Sequence, residues 1–201
     1  MATTINSGYA SSPKLTANIA DHADVYGGRA LVFDGVSDRL NSSNISTSTT
    51  STYSFWYNIS NVSGTRDIFT HANIYFRAID NDLYLYSNFS SHARYDNIFT
   101  VGDWNHIAWV ANGSTHKLYK NGEEVTPNAT TSAPIVVATN VINISSIGNH
   151  LAGKMADFKY YHSALSASDV QTLSKNPERL PSSPTLNTWY HMLDAHPDTP
   201  Q

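Results

Sequence analysis

The sequence predicts an all-β protein: two stacked antiparallel sheets with one short helix near the C-terminus. Three observations carry this. Segments of period-two hydrophobicity recur at short intervals from Arg29 onward. Turn residues punctuate them, including Asn112-Gly113 and Asn121-Gly122 within ten residues of each other. Asn-Gly between apolar runs favours a hairpin because both residues tolerate positive φ. One segment alone, LSASDVQTLSKNP, has helical character.

Strands are expected near 29–34, 38–41, 52–59, 66–71, 73–79, 82–87, 97–101, 104–111, 115–120, 141–148 and 154–161. In TYSFWYNIS, Tyr53, Phe55, Tyr57 and Ile59 form an apolar face. Ser54, Trp56 and Asn58 form the other, which is polar apart from the tryptophan. In WNHIAWVA, Ile107 and Trp109 oppose Trp104, Ala108 and Val110, so both faces are covered, as in a central strand. DLYLYS is apolar on both faces as well. The helix begins at the N-cap Ser166, has Asp169 three residues on, and stops at Asn176-Pro177. Val170 and Leu173 are expected to face the sandwich. Segment 186–193 could add one more strand. The organisation expected is an N-terminal segment 1–26 packed on the sandwich, a domain over 27–176, and a Pro-rich tail over 177–201.

Composition narrows the function. The chain has 201 residues, enough for one large β domain with a real core. Charged residues make up 14%, so solubility rests on Ser, Thr and Asn. Net charge is -4 and no basic block occurs, which argues against nucleic acid. Cysteine is absent, so disulfide and thiolate chemistry are excluded. No apolar run is long enough to span a bilayer as a helix, and no membrane insertion is expected. The opening MATTINSGYASSPK lacks a basic stretch followed by an apolar one, so a secretory signal is not expected.

Taken in order, GGRALVFDGVSDRL, STYSFWYNIS, DWNHIAWV, KLYKNGEEV and IGNHLAGKMADFKYYHSALSASDVQTL resemble the laminin G-like, concanavalin A-like jelly rolls, close to the pentraxin-like group. The resemblance covers Gly27 to Leu173. It implies a two-sheet antiparallel jelly roll, one sheet concave and one convex, and roles in glycan binding, adhesion or structure. Two departures stand out. The disulfide that animal members often carry near the C-terminus is missing, and Phe158 replaces the usual acidic partner beside Asp157.

Glucanases of this superfamily place carboxylates alternately along one strand, with two groups about 5–5.5 Å apart in the retaining case. Glutamate occurs here only at Glu123, Glu124 and Glu178, and none lies two or four residues from another acid on a predicted strand. Asp80 and Asp82 bracket a turn. The expectation is a non-enzyme. The nine histidines are scattered without H-x-H or HExxH spacing, and His106 reads as a packed, hydrogen-bonded core imidazole. No G-x-S-x-G occurs.

The resemblance implies a structural calcium at Asp157, on the strand before the helix, with Asp34 of FDG contributing. The competing readings are a turn in which Asp34 binds its own backbone, and a hydrogen bond from Asp157 to the N-terminal segment. Sugar binding would use aromatic faces: Tyr75, Tyr84, Tyr86, Arg94 and Tyr95 are the candidates, with Arg77 and Asn97 nearby in sequence. Against that, tyrosine also suits half-buried strands for packing alone. Eight N-x-S/T sequons are attributed to the Asn/Ser/Thr-rich composition. Trp189, Tyr190, Met192 and Leu193 form an apolar cluster in the tail, a candidate oligomer or docking surface.

The expected function is a non-catalytic, lectin-like structural or adhesion protein of a virion, a phage capsid decoration or tail fibre. Its partners would be other virion proteins or itself, together with surface glycans. The alternative is a secreted carbohydrate-binding lectin module, calcium-dependent in one form.

Overall fold

A computed structural model describes residues 30–87, 90–130, 134–146, 148–177, 179–181 and 186–190, with backbone alone for 90–92, 187, 189 and 190. The N-terminal segment 1–26 lies outside the described residues. The strands are β1 (Leu31–Asp34), β2 (Leu40–Ser46), β3 (Thr50–Ile59), β4 (Thr65–His71), β5 (Ile74–Ile79), β6 (Asp82–Ser87) and β7 (Ser90–Tyr95). They continue with β8 (Trp104–Asn112), β9 (Thr115–Lys120), β10 (Glu123–Val125), β11 (Ala129–Thr130), β12 (Thr139–Ile144), β13 (Ala152–Tyr161) and β14 (Leu186–Tyr190). The helix α1 spans Ala167–Lys175.

Two antiparallel sheets of seven strands result. The first runs β1-β13-β3-β8-β9-β10, the second β11-β7-β6-β5-β4-β12-β2. On the first sheet, β1 pairs with residues 152–155 of β13 and β14 with residues 158–161, so the two lie end to end along one edge. This puts 186–190 of the expected tail into the sandwich as a strand.

The two inner faces enclose an aromatic core. Tyr53 stacks between Trp109 at 5.6 Å and Tyr160 at 4.6 Å, ring centre to ring centre. Phe55 stacks on Phe158, and Phe69 on Phe76. Such aromatic contacts add packing energy beyond burial alone. A second apolar layer lies on the outer face of the first sheet, where Val170 and Leu173 of α1 pack with Ala108, Val110, Tyr119 and Tyr161. The helix starts as its sequence dictates: Ser166 accepts from the Asp169 N–H, and the Asp169 carboxylate accepts from the Ser166 N–H.

Some expected boundaries move. Residues 97–101 are turn and loop, and the strand lies before them at 90–95. Asn97 at φ 56° ends that strand, and Ile98 and Phe99 are buried from a loop. The strand expected at 141–148 runs 139–144 and stops before Ser145 at φ 63°. Two short strands, β10 and β11, lie at sheet edges and carry too few residues to show a period.

Candidate functional site

On the outer face of the second sheet, β-pairing assembles two adjacent rows of side chains. Asn143, Thr70, Tyr75 and Tyr86 stand opposite one another on β12, β4, β5 and β6. Asp67, Arg77, Tyr84 and Arg94 do the same on β4, β5, β6 and β7. Alternation sends their neighbours Phe76, Leu83, Leu85 and Ala93 into the core.

A β-bulge makes the second row possible. Pairing of β4 with β5 shifts between Asp67 and Phe69. The extra residue, Ile68, joins the core, and Asp67 turns to the outer side with Thr70. There Arg77 grips it fork to fork: Nε donates to Oδ1 at 2.6 Å and Nη2 to Oδ2 at 3.2 Å. Asn149 Nδ2 adds a longer contact to Oδ2 at 3.4 Å.

The guanidinium groups also pack on the rings. Arg77 lies 5.2 Å from the Tyr75 ring centre and 5.8 Å from that of Tyr86, and Arg94 lies 5.7 Å from that of Tyr84. Arg94 is fixed in turn by Asp82 at 3.0 Å and Asp96 at 2.6 Å. Tyr84 and Tyr86 lie nearly parallel, 10° apart with centres 6.0 Å apart. Asn143 Nδ2 donates to the Thr70 hydroxyl at 3.0 Å. The result is a platform of half-buried phenol rings whose positions are fixed by ion pairs. Partial burial raises the Tyr86 phenol pKa, against the pull of Arg77, so at neutral pH it is an uncharged hydroxyl.

Four of the five residues expected to meet a sugar, Tyr75, Tyr84, Tyr86 and Arg94, are therefore brought together. Tyr95 is corrected: it is fully buried in the core. As the strand neighbour of Arg94 it must point to the opposite face. Arg77, expected only as a sequence neighbour of the candidates, joins the face, and so do Asp67, Thr70 and Asn143, which were not among the expected contacts. For Asp67 a signal existed. Strict alternation from Phe69 would bury it unpaired, which is costly enough to imply a bulge.

The two acids expected at a calcium site are not brought together. Asp34 sits opposite Ala152, five residues along β13 from Asp157, a separation on the order of 15 Å. Asp34 takes the turn role: its carboxylate accepts the N–H groups of Val36, Ser37 and Asp38 at 2.8–3.0 Å. These bonds hold its pKa well below the usual carboxylate range. Asp157 is buried in a bulge of β13 at φ 57° and forms an ion pair with Lys159, itself fully buried. Among the described residues no group of three or more His, Asp or Glu side chains could hold a metal ion.

His106 has the core role expected of it. It is fully buried, with Nε2 2.8 Å from Ser54 Oγ. Burial, and then the charge of Lys159, push its pKa down to about 3. Of the expected docking cluster, Met192 and Leu193 lie outside the described residues, while Trp189 and Tyr190 belong to β14. A separate concavity of about 290 Å³ lies between α1 and β8–β9, with Val110, Tyr119 and Leu165 in its lining. Its lysine, Lys117, is paired with Glu124, and it offers no parallel pair of rings.

Comparison with known proteins agrees with this architecture. The concanavalin A-like lectin/glucanases superfamily matches residues 34–171, and the chain belongs to that family, in its laminin G branch. A heptameric SAP-like pentraxin from Limulus polyphemus superposes with a TM-score of 0.55 at 17% identity, over 79% of this chain and 83% of that one. Domain 4 of AbnA, an extracellular arabinanase of Geobacillus stearothermophilus crystallised with arabinotriose, gives 0.58 at 19% identity, over 72% and 76%. A protein from Bacteroides ovatus described as a candidate carbohydrate-binding protein gives 0.61 at 15% identity, over 81% of this chain and 52% of that one. At these identities the likeness is one of fold. No curated protein matches the sequence. The fold is thus that of lectins and carbohydrate-binding modules, and no helix among the described residues is long and apolar enough to cross a membrane.

Proposed function

We propose that the chain is a non-catalytic, lectin-like adhesion module that holds saccharides on the outer face of its second sheet, displayed on a virion as a decoration or fibre component. One observation carries the glycan reading: the parallel rings of Tyr84 and Tyr86, extended by Tyr75 and braced by Arg77 and Arg94. A sugar ring presents C–H bonds on one side and hydroxyls around its rim. Flat phenol faces with polar edges complement both. Ion pairs fix the rings in advance, so little side-chain freedom is lost on binding. Arabinotriose in the AbnA domain is sugar bound to a protein of related fold. Display on a virion is supported by composition, a surface of Ser, Thr and Asn with no cysteine.

A secreted carbohydrate-binding module is the second reading, favoured by the arabinanase domain, since this chain spans 76% of it. Both readings use the same face.

The test is retention of the full chain on a glycan array and in polysaccharide affinity gels, for wild type and for Tyr84→Ala/Tyr86→Ala. The expected result is retention of the wild type and at least a tenfold loss in the variant, with a similar urea midpoint. Equal retention of both proteins, or none on any glycan, sinks the glycan reading. Cosedimentation with capsids supports display on a virion. A freely soluble glycan-binding protein that ignores them supports the secreted module.

A further inference from the structure

We infer that the tyrosine face selects uncharged saccharides, neutral hexose or pentose chains, and disfavours sulfated, sialylated or uronic ones. This deepens the reading of the face as a saccharide platform and rests on it. Two arginines beside tyrosines would suggest an anion receptor, yet each is already paired with carboxylates of the protein. Arg77 already holds Asp67 in a two-bond fork. Asp67 is 1% exposed. A ligand carboxylate or sulfate that drew Arg77 away would leave a buried carboxylate without its partner, which proteins resist strongly. Arg94 is held by two carboxylates, Asp82 and Asp96. An anion approaching Arg94 therefore meets both.

The charge count has the same sign. Two guanidinium groups face three carboxylates on this part of the sheet, an excess of one negative charge. Arg66, a third arginine of the strands, donates instead to the carbonyls of Gly35 and His150. The net charge of the whole chain, -4, adds to the repulsion of polyanions. Beside these mutually paired charges the face presents neutral groups, the half-buried phenols of Tyr75, Tyr84 and Tyr86 and the Asn143 amide. The arginines act as braces that set the ring spacing.

The experiment compares matched polymers in affinity gels at low salt: dextran, mannan, galactan and arabinan, each beside its sulfated form. The expected result is retention by at least one neutral polymer and about tenfold weaker retention by its sulfated form. Tighter retention by a sulfated form, weakened by salt, overturns the inference but leaves the saccharide reading standing. No retention by either form of any polymer, with the protein folded, overturns the saccharide reading itself. A paired variant probes the cause. Asp82→Asn/Asp96→Asn frees Arg94 and is expected to raise retention on dextran sulfate at least fivefold. Asp38→Asn/Glu123→Gln makes the same change in net charge elsewhere and is expected to raise it less than twofold. Equal gains in the two variants overturn the assignment of selectivity to these carboxylates.

Discussion

Asp67 and Arg77 face each other across β4 and β5, joined by bonds of 2.6 and 3.2 Å, with the carboxylate buried and the guanidinium 26% exposed. The asymmetry in burial makes the two partners unequal. Arg77→Met strands a buried carboxylate and is expected to cost about 3–5 kcal/mol. Asp67→Asn leaves Arg77 able to turn to water and is expected to cost about 1–2 kcal/mol, a lost charged hydrogen bond. Urea melts of both variants check this. A smaller loss in Arg77→Met than in Asp67→Asn contradicts it.

Trp109 is fully buried and stacked on Tyr53. Trp109→Ala should destabilise the fold by about 3–5 kcal/mol, from lost burial and the cavity left behind. A loss under about 1 kcal/mol in urea would mean that the core closes around the gap, contrary to its close packing.

Gly153 adopts φ 144° on β13 between its partners Phe33 and Ile59. A methyl at that position would run into the Asn58 carbonyl and come within 2.8 Å of the Ile59 Cα. Gly153→Ala is therefore expected to cost about 2 kcal/mol or more, from backbone strain plus overpacking. Gly64, at φ 75° with open space around its Cα, supplies the comparison. Gly64→Ala carries the backbone strain alone, about 1 kcal/mol. Equal losses would contradict the steric part.

His106 ties stability to pH. Its pKa is about 3 in the folded state, against 6.5 for a free imidazole. Below pH 6.5 the unfolded chain takes up a proton that the folded chain refuses, so unfolding gains. The stabilisation is complete above 6.5 and is lost as pH falls towards 3. Between pH 7.5 and 5.0 the expected loss is about 2 kcal/mol from this residue. His71, lowered by burial as well, acts in the same direction. His106→Gln should flatten the dependence of the urea midpoint on pH. Parallel profiles for wild type and variant would remove His106 from the explanation.

The face that carries the functional proposal was only half legible in sequence. Tyr84 and Tyr86 are two residues apart in DLYLYS, so a common side follows from the strand period alone. Arg94 and Tyr95 are adjacent and cannot share it. Placing that strand at 97–101 hid the conflict, because Ile98 and Phe99 look like strand core while the true strand, SSHARY, is polar. Asp34 was legible, since Asp-Gly followed by small polar residues is a turn that captures its own N–H groups. Asp157 was not. Its partner Lys159 is two residues on, and the bulge in β13, which the sequence does not mark, decides which face of the sheet the pair takes.

By itself the sequence determined the sandwich, the aromatic core face of β3 and β8, the capped helix and the absence of cysteine chemistry. These depend on local periodicity, turn residues and composition, which the chain carries in one dimension. Tertiary structure alone decided which strands became neighbours and where one extra residue shifted the register. Strand pairing joins residues far apart in the chain, and a single bulge turns a side chain to the opposite face. That is how Asp67 came to brace the tyrosine platform.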